Sequence, residues 1–316
     1  MLTHNPYSFL SGDYPFLHAV PLEVREDGFL GKLVFEHHHE GFIGIPHGGL
    51  AMGLCLDAWR RATVPQYPVR TRFRFGGSGL GIGDGARFTV EKEHGRGGGP
   101  VVVARITKEG DKTPYLTAEI ASAASVDGVA MRPPTAVFRD LPYYRNCFVC
   151  GHHRAVTGLQ RKFRYHASEP GKVVTTGWGF DSDDFDRAES FLIGRDEIHP
   201  AVLVSIFDEN TAWGGFLDTG VAGLSVRLDF TLLRPVGKEE KLLFVGWPAG
   251  VKGNPRSPRF FVAEGSILCM NDPKNARPVA YGRGEWIVVD RYTEQIKKNL
   301  LPEGDWQWIF GNRPAQ

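Results

Sequence analysis

The sequence predicts an α+β protein built from two tandem copies of one domain, each with a long helix wrapped by a mostly antiparallel sheet. The main observation is a motif that occurs twice. His47-Gly48-Gly49 opens one apolar run of helix length, and His199-Pro200-Ala201 opens another. Self-similarity over so long a period indicates duplicated domains rather than a short-repeat solenoid. A chain of 316 residues is long enough for two domains that each bury a core.

The two apolar runs, LAMGLCLDAWRRA and VLVSIFDENTAW, have no clean polar face. A helix that is apolar nearly all round is buried rather than lying on the surface. We therefore expect one buried helix in each copy, covered by the sheet of an α+β domain.

Segments rich in β-branched and aromatic residues flank each helix in the same order, and they alternate and end at Gly, Pro or Asp as strands do. In the first copy these are GFLGKLVF before the helix and VRTRFRFG, ARFTVEKE, VVVARITK and YLTAEIASA after it. In the second they are QRKFRYHA and KVVTTGWGF before the helix and GLSVRLDFTLL, KLLFVGW, RFFVAEGSILCM and GEWIVV after it. The loop EHGRGGGP suits a hairpin connection.

Consecutive prolines at positions 133 and 134 mark the boundary between the copies, because they exclude a helix there. We expect an N-terminal domain over residues 1–128, a linker over 129–144, a C-terminal domain over 145–295 and a tail over 296–316. The tail fits neither copy.

Composition excludes several classes of function. The formal net charge of +1 at pH 7 offers no electrostatic footprint for nucleic acid or an anionic membrane. No apolar run approaches the roughly 20 residues that span a bilayer, and the N-terminal sequence MLTHNPYSFLSGDYPF lacks a signal-peptide pattern. Four cysteines do not make a disulfide framework, which fits a reducing compartment. We expect a cytoplasmic protein.

Several segments resemble the acyl-CoA thioesterases of the hotdog-fold superfamily. GFIGIPHGGLAMGLCLD resembles their G-x-x-G-x-x-H-G-G…D segment. CFVCGHHRAVTGLQRKF, HPAVLVSIFDENTAW and GLSVRLDFTLLRPVGKEE resemble the opening, the helix and the next strand of the phenylacetic-acid-type branch. The likeness covers residues 15–125 and 145–290, so the chain resembles a double hotdog, in which two tandem hotdog domains form an intrachain pseudo-dimer.

The resemblance implies a shared active site, because two hotdog units pair about a twofold axis. The unit with the intact HGG turn offers a backbone N–H to the thioester oxygen. The helix of the other unit offers a carboxylate, helped by a Ser or Thr of the next strand. A helix N-terminus has unpaired N–H groups and partial positive charge, which suit a developing oxyanion. The implied activity is hydrolysis of an acyl thioester carried by CoA or by acyl-carrier protein.

The two copies differ at these positions in a complementary way. Pro200 aligns with Gly48 and has no N–H to give. The oxyanion turn, Gly48 and Gly49, is therefore intact in the first copy alone. Leu56 of the first copy aligns with Asp208 of the second, so the second copy alone keeps the carboxylate.

The second copy alone also keeps the hydroxyl, since Ser225 aligns with Val69 of the first copy. One composite site would combine Gly48 and Gly49 with Asp208 and Ser225. The other would combine Pro200 with Leu56 and Val69 and would lack every catalytic group. We expect one active site per chain.

Glu209 is the reserve catalytic base. It follows Asp208 about 100° further round the helix, so both side chains cannot face one substrate carbonyl. Asp57 aligns with Glu209 and is expected to be a structural acid near the interface.

Three residues are expected around the substrate. His47 recurs in the broken copy as His199, which favours a ring hydrogen bond that fixes the turn over catalysis. Asn210 orients water or bonds locally. Arg234 could meet the phosphates of CoA.

Two motifs suggest a metal by spacing. Cys147-Phe-Val-Cys150 has the spacing of a zinc pair, and His37-His38-His39 is a histidine tract. No second Cys pair lies at ribbon distance, so a structural turn is favoured for Cys147 and Cys150. We expect no metal and no cofactor.

A second enzymatic interpretation is a dehydratase or hydratase acting on a 3-hydroxyacyl thioester. His37, Gly41 and Pro46 fit H-x-x-x-G-x-x-x-x-P, a motif of double-hotdog dehydratases. His37 would take the α-proton and Asp208 would protonate the leaving hydroxyl. Against it, the dehydratase acid is usually followed four residues later by Gln or His, and here Ala212 stands there.

The third interpretation is a non-catalytic protein that binds an acyl-CoA as sensor or scaffold. It predicts binding without turnover. In all three cases the partner is a thioester substrate or ligand, with no nucleic acid and no membrane, and the pseudo-dimer could pair further into a homodimer.

Overall fold

The two copies share one antiparallel sheet. The computed structural model describes residues 22–25, 28–42, 44–77, 79–94, 99–123, 138–155, 158–168, 171–181, 183–184, 191–194, 196–254 and 257–310. Within these residues 13 strands form a continuous sheet that packs against two long helices. The predicted α+β class, with one buried helix and one sheet segment per copy, is confirmed.

The first copy contains β1 (Leu22–Arg25), β2 (Gly28–Val34), α1 (Gly48–Ala62), β3 (Val69–Phe75), β4 (Gly85–His94), β5 (Pro100–Lys108) and β6 (Leu116–Ser122). The second contains β7 (Phe138–Asp140), β8 (Tyr143–Tyr144), β9 (Arg164–Ser168), β10 (Gly171–Trp178), β11 (Leu192–Ile193), β12 (Glu197–Ile198), α2 (Pro200–Thr219), β13 (Gly223–Leu232), β14 (Leu242–Asn254), β15 (Ser257–Cys269) and β16 (Arg277–Val288). The chain continues with α3 (Asp290–Asn299), β17 (Leu300–Leu301) and α4 (Gln307–Phe310). Short 3-10 turns cover His37–His39 and Pro273–Asn275.

The strand order shows the duplication directly. It runs β1-β2-β4-β5-β6-β3-β13-β16-β15-β14-β10-β9-β7, so the order on one side of the β3–β13 pair mirrors the order on the other. The pairing of β3 with β13 extends from Val69↔Leu232 to Arg74↔Arg227. Beyond Arg227 the register of β13 shifts at a bulge that begins at Ser225. The two copies are therefore joined along one seam, which ends beside Ser225.

The two central helices touch through small residues. A Cβ added to Gly49 would lie 2.2 Å from Cα of Ser205, and one added to Gly53 would lie 2.2 Å from Cβ of Ala201. Each contact joins α1 to α2. Because no side chain separates the backbones there, the start of α1 lies against the first half of α2.

Helix α2 continues beyond the predicted run, through Gly214 and Gly215, to Thr219. A Cβ on Gly215 would lie 2.2 Å from the Phe261 ring, and one on Gly214 would lie 3.4 Å from the Trp247 backbone. These glycines allow the helix to approach the sheet rather than ending it. The helix ends at Gly220, whose φ of 66° is in the left-handed region that glycine adopts readily.

The boundaries differ from the expectation at two places. Strand β7 pairs with β9 of the second copy and β8 pairs with β17 of the C-terminal segment, so residues 138–144, expected in the linker, contain two paired strands. Helix α3 begins at Asp290, so the C-terminal segment starts before residue 296.

Some of the predicted features lie outside the described residues. They are the N-terminal sequence 1–21, the tip of the hairpin at 95–98, the prolines at 133 and 134 and the last residues 311–316. All four cysteines lie inside the described ranges and are free thiols. None of the helices in those ranges is both long and apolar enough to cross a bilayer.

Candidate active site

The helices α1 and α2 begin with the same cap. Nδ1 of His47 accepts a hydrogen bond of 3.0 Å from the Gly49 N–H, and Nδ1 of His199 accepts one of 3.0 Å from the Ala201 N–H. A ring nitrogen that accepts from a backbone N–H carries no proton, so in each neutral imidazole the proton is on Nε2. The two histidines thus fix equivalent turns.

Each cap histidine also reaches a carboxylate of the other helix. Nε2 of His47 lies 3.4 Å from Oε2 of Glu209, and Nε2 of His199 lies 3.3 Å from Oδ1 of Asp57. The duplication relates one pair to the other. The same pair occurs in the second copy, whose helix starts with Pro200 in place of Gly48. Capping of the helix and contact with the other helix therefore explain both histidines.

At the start of α1 one backbone donor remains open. The Gly49 N–H donates to the His47 ring, and the Leu50 N–H donates to the His47 carbonyl at 3.0 Å. The Gly48 N–H makes no hydrogen bond to an acceptor in the described part of the chain. At the equivalent position of α2 stands Pro200, which has no N–H.

Asp208 lies beside Gly48 across the contact between the helices. Its Oδ1 accepts a hydrogen bond of 2.8 Å from Oγ of Ser225. Its Oδ2 lies 3.4 Å from the position that a Cβ on Gly48 would occupy. Burial raises the pKa of the Asp208 carboxyl, and the Ser225 hydrogen bond opposes the rise. The structure therefore brings Gly48, Asp208 and Ser225 together from the two copies.

Glu209 has other partners than Asp208. Besides His47, its Oε2 accepts a hydrogen bond of 3.0 Å from Sγ of Cys147. Burial raises the pKa of Glu209 to about 8. The Cys147 sulfur also accepts from the Val149 N–H at 3.3 Å, within a tight turn. Glu209 is thus held by the cap histidine and the cysteine turn.

His47, Cys147 and Glu209 place one potential ligand atom each within 4.8 Å of one another, a spacing that a metal ion could bridge. The ring tautomer opposes this. Ligation through Nε2 of His47 needs a lone pair there and a proton on Nδ1, but Nδ1 faces the Gly49 N–H. The residues do not fit a metal while the helix cap is formed.

Asp208 lines a cavity of about 580 Å³. One part of its wall follows β3 and includes Phe75, the glycine-rich loop described at residues 76–77 and 79–81, and Lys108, which pairs with Asp84 at 2.7 Å. Another part lies on α2, on the ends of β13 and β16, and on α3; its residues are Ala212, Trp213, Phe216, Leu224, Trp286, Ile287, Tyr292, Ile296 and Leu300.

The comparisons with known proteins identify the fold. No protein-family model and no curated protein sequence matches the chain. Among solved structures, the tesB protein of Mycobacterium avium subsp. paratuberculosis matches with a TM-score of 0.54 at 14% identity, over 85% of this chain and 96% of that one. A candidate thioesterase from Novosphingobium aromaticivorans matches with a TM-score of 0.50 at 13% identity, over 85% and 98%.

Dehydratases also occur among the matches. The dehydratase domain of PpsC from Mycobacterium tuberculosis, solved with C12:1-CoA, matches with a TM-score of 0.53 at 12% identity, over 90% of this chain and 99% of that one. With the mirrored strand order, these matches decide the architecture. The fold is a double hotdog.

In this double hotdog three of the expected site residues lie away from the cavity wall. Asn210 is fully buried and its Nδ2 donates to the Val174 carbonyl at 3.3 Å, on the sheet side of α2. Arg234 forms a bidentate pair with Glu240 at 2.6 and 2.7 Å, so its charge is already neutralised. His37 is exposed at the start of a 3-10 turn. None of the three is placed to contact a substrate beside Asp208.

Gly49 also differs from its expected role. Its N–H is used by the His47 ring and its Cα packs on Ser205, so it supports the turn and leaves the open donor to Gly48. The second possible composite site would combine Pro200 with Leu56 and Val69. Leu56 and Val69 are buried and do not line the described cavity.

Sequence reasoning missed several residues around Asp208. Tyr115 is buried and lines the cavity, and burial together with the nearby Asp208 carboxylate raises the pKa of its hydroxyl. Phe75 lies against both Gly48 and Tyr115. Neither has a local pattern that would identify it. Cys147 was noted for its spacing, but its contact with Glu209 crosses the fold.

Proposed function

We propose that this double hotdog hydrolyses an acyl thioester, most simply an acyl-CoA, at one composite site per chain. The observation that carries the proposal is the position of Asp208, held by Ser225 at 2.8 Å and adjacent to the open N–H of Gly48. An acid and an oxyanion donor from different copies thus face the same cavity.

The proposed reaction uses these groups in a simple order. The thioester oxygen accepts from the Gly48 N–H, which stabilises negative charge as it develops on that oxygen. Asp208 takes a proton from a water molecule whose oxygen attacks the carbonyl carbon. The tetrahedral intermediate then expels the thiolate as the C–S bond breaks. Ser225 acts on the carboxylate, because its hydroxyl occupies Oδ1 and leaves Oδ2 toward Gly48.

Direct attack by Asp208 is the alternative within the same hydrolysis. The carboxylate would form a mixed anhydride and release the thiol, and water would then open the anhydride. The two routes differ in the source of the first oxygen bonded to the acyl carbon. A rapidly quenched single turnover separates them, since the anhydride route adds the mass of the acyl group to the protein at Asp208 and the water route forms no covalent intermediate.

CoA as the thiol carrier is supported by the polar part of the cavity wall. Gly76, Gly77 and Gly79 of the glycine-rich loop are exposed there and offer backbone groups to the carrier. The structurally similar dehydratase domain of PpsC was solved with C12:1-CoA. We propose that the thiol carrier lies along this loop.

The test is an assay of the purified chain on a panel of saturated, aryl and 3-hydroxyacyl-CoA substrates. Free thiol is followed with a colour reagent, and products are followed by mass. We expect thiol release that falls by about a thousandfold or more in Asp208→Asn, with substrate binding retained. Asp218→Asn, the same substitution on a half-exposed part of α2, is the matched control and should keep full activity.

Other outcomes would contradict the proposal. Loss of water from a 3-hydroxyacyl-CoA without thiol release would indicate a dehydratase, although exposed His37 lies off the cavity wall that contains Asp208. Binding of acyl-CoA without any product would indicate the non-catalytic interpretation. Full thiol release by Asp208→Asn would remove Asp208 from the chemistry.

A further inference from the structure

Helix α3 lies outside both hotdog copies, yet it forms part of the cavity wall. Near its start, Oγ1 of Thr293 accepts a hydrogen bond of 3.1 Å from the Ala222 N–H, just after the end of α2. Past its end, Leu300 pairs with Tyr144, and the Asn299 carbonyl accepts from the Arg145 N–H at 3.3 Å. The helix is therefore anchored at both ends to the second copy.

These anchors make α3 antiparallel to α2. The start of α3 is next to the C-terminal end of α2. Its other end is next to the segment that includes Cys147, and Cys147 contacts Glu209 in the first half of α2. Residues four apart lie on one face of a helix, so the cavity-lining residues form two facing stripes. They are Asp208, Ala212 and Phe216 on α2, and Tyr292 and Ile296 on α3 with Leu300 directly after its end.

The channel between the stripes is apolar beyond its catalytic end. From Asp208 to Phe216 it covers two turns of α2, about 12 Å at 1.5 Å per residue. Ile296, Leu300 and Phe216 are all buried, and Trp213 and Trp286 complete the wall. At the far end, Arg291 is exposed. A space of this length and polarity suits a hydrocarbon chain rather than the polar arm of CoA.

We propose that α3 forms one wall of an acyl-binding channel, and that the channel selects acyl groups of medium length. The proposal rests on the proposed function for the position of the carbonyl, at Asp208. The hydrocarbon then runs between the two stripes toward Phe216, and the thiol carrier leaves along the glycine-rich loop. Ala212 and Ile296, each in the middle of its stripe, determine the width of the channel.

The test narrows the channel from either side. Ala212→Phe and Ile296→Trp should each lower the ratio of kcat/KM for octanoyl-CoA to that for acetyl-CoA by about tenfold or more, because a few atoms of pocket volume carry that much discrimination. Ile296→Ala should raise the ratio for palmitoyl-CoA to octanoyl-CoA. Lys298→Ala, at an exposed position of α3, is the control and should leave both ratios as in the wild type.

A parallel fall on all chain lengths, or unchanged ratios in both narrowed variants, would overturn the proposal. Thermal unfolding identifies a variant that has lost its fold. In that case Ile296→Ala, which removes atoms, decides the matter through its palmitoyl-to-octanoyl ratio.

Failure of the proposed function would give a different result. If the wild type releases no thiol from any substrate, octanoyl-CoA thioether and acetyl-CoA thioether replace the substrates in calorimetric binding. Tighter binding of the octanoyl compound that is lost in Ile296→Trp would support the acyl channel without hydrolysis. Equal binding of the two compounds would overturn it.

Discussion

The Ser225 hydroxyl donates a hydrogen bond of 2.8 Å to the Asp208 carboxylate. This bond joins the bulge of strand β13 to the middle of the buried helix α2. Asp208 is 7% exposed, and burial penalises its ionised form. A hydrogen bond to that form partly offsets the penalty. The serine therefore opposes the rise in the pKa of this buried acid and leaves its other oxygen toward Gly48.

Ser225→Ala should lower kcat/KM near neutral pH by roughly tenfold, because a hydrogen bond to a charged group contributes about 1.5 kcal/mol. The variant should also lose activity at a higher pH than the wild type. In the proposed reaction Asp208 acts as the carboxylate, and removal of the donor should raise its pKa, so protonation would begin at a higher pH. The measurement is the pH profile of kcat/KM. Ser225→Thr restores the hydroxyl and should restore the profile; an acid limb that stays fixed in Ser225→Ala would contradict this role.

Gly48→Pro should reproduce the broken copy in the intact one. Proline is accepted at the first position of a helix, as Pro200 demonstrates in α2, but it removes the open N–H. We expect kcat to fall by about 100- to 1000-fold, the usual effect of losing one oxyanion donor. Gly48→Ala is the control, since it adds a Cβ against Phe75 and Asp208 and keeps the N–H. Equal losses in the two variants would point to crowding rather than to the donor.

Glu209→Gln should change how stability depends on pH. The pKa of Glu209 is raised from its usual 4.5 to about 8 in the folded chain. Between these values the unfolded chain has lost the proton that the folded chain keeps, so the free energy of unfolding decreases as the pH rises and levels off above about 8. The Gln variant lacks this decrease. Between pH 5 and pH 9 its free energy of unfolding should therefore fall by a few kcal/mol less than that of the wild type.

Urea unfolding at pH 5, 7 and 9 measures the effect. Glu239→Gln is the matched control, because Glu239 is exposed on the same copy. A wild type and a Glu209→Gln variant with parallel stability profiles would show that Glu209 titrates normally.

Gly49→Ala should destabilise the chain by about 1–3 kcal/mol, the usual cost of overpacking. The added Cβ would lie 2.2 Å from Cα of Ser205, so the two central helices would have to separate. Gly77→Ala is the control for stability, because a Cβ there meets nothing within 4 Å. The measurement is the free energy of unfolding in urea, and equal effects of the two substitutions would contradict the close contact.

Local patterns predicted most of the fold. The two helix starts follow from the repeated His motif, because its cap is local to the turn, and the strand segments follow from alternation and β-branched residues. The end of α2 was predicted too early, since Gly214 and Gly215 look like a stop until their contacts with the sheet are known. The position of α3 could not be predicted, because its cavity-facing residues have meaning only beside α2.

The candidate site was partly predictable for a related reason. Duplication supplied an internal comparison that singled out Gly48, Asp208 and Ser225, and the structure brings them together. The same comparison cannot distinguish Gly48 from Gly49, because hydrogen bonding of the Gly49 N–H to His47 is a matter of geometry. Arg234 is a basic residue near the resemblance motif, but its partner Glu240 already neutralises it.

The seam between β3 and β13 has a consequence for how such a chain can fail. Gly48 and Asp208 lie on opposite sides of that seam, so neither copy owns a complete set of groups. A substitution that weakens the pairing of β3 with β13 would separate the Gly48 N–H from the Asp208 carboxyl, even when both helices stay folded. If the proposed reaction takes place, its rate would depend on the docking of the two halves, and one half alone would lack a complete site.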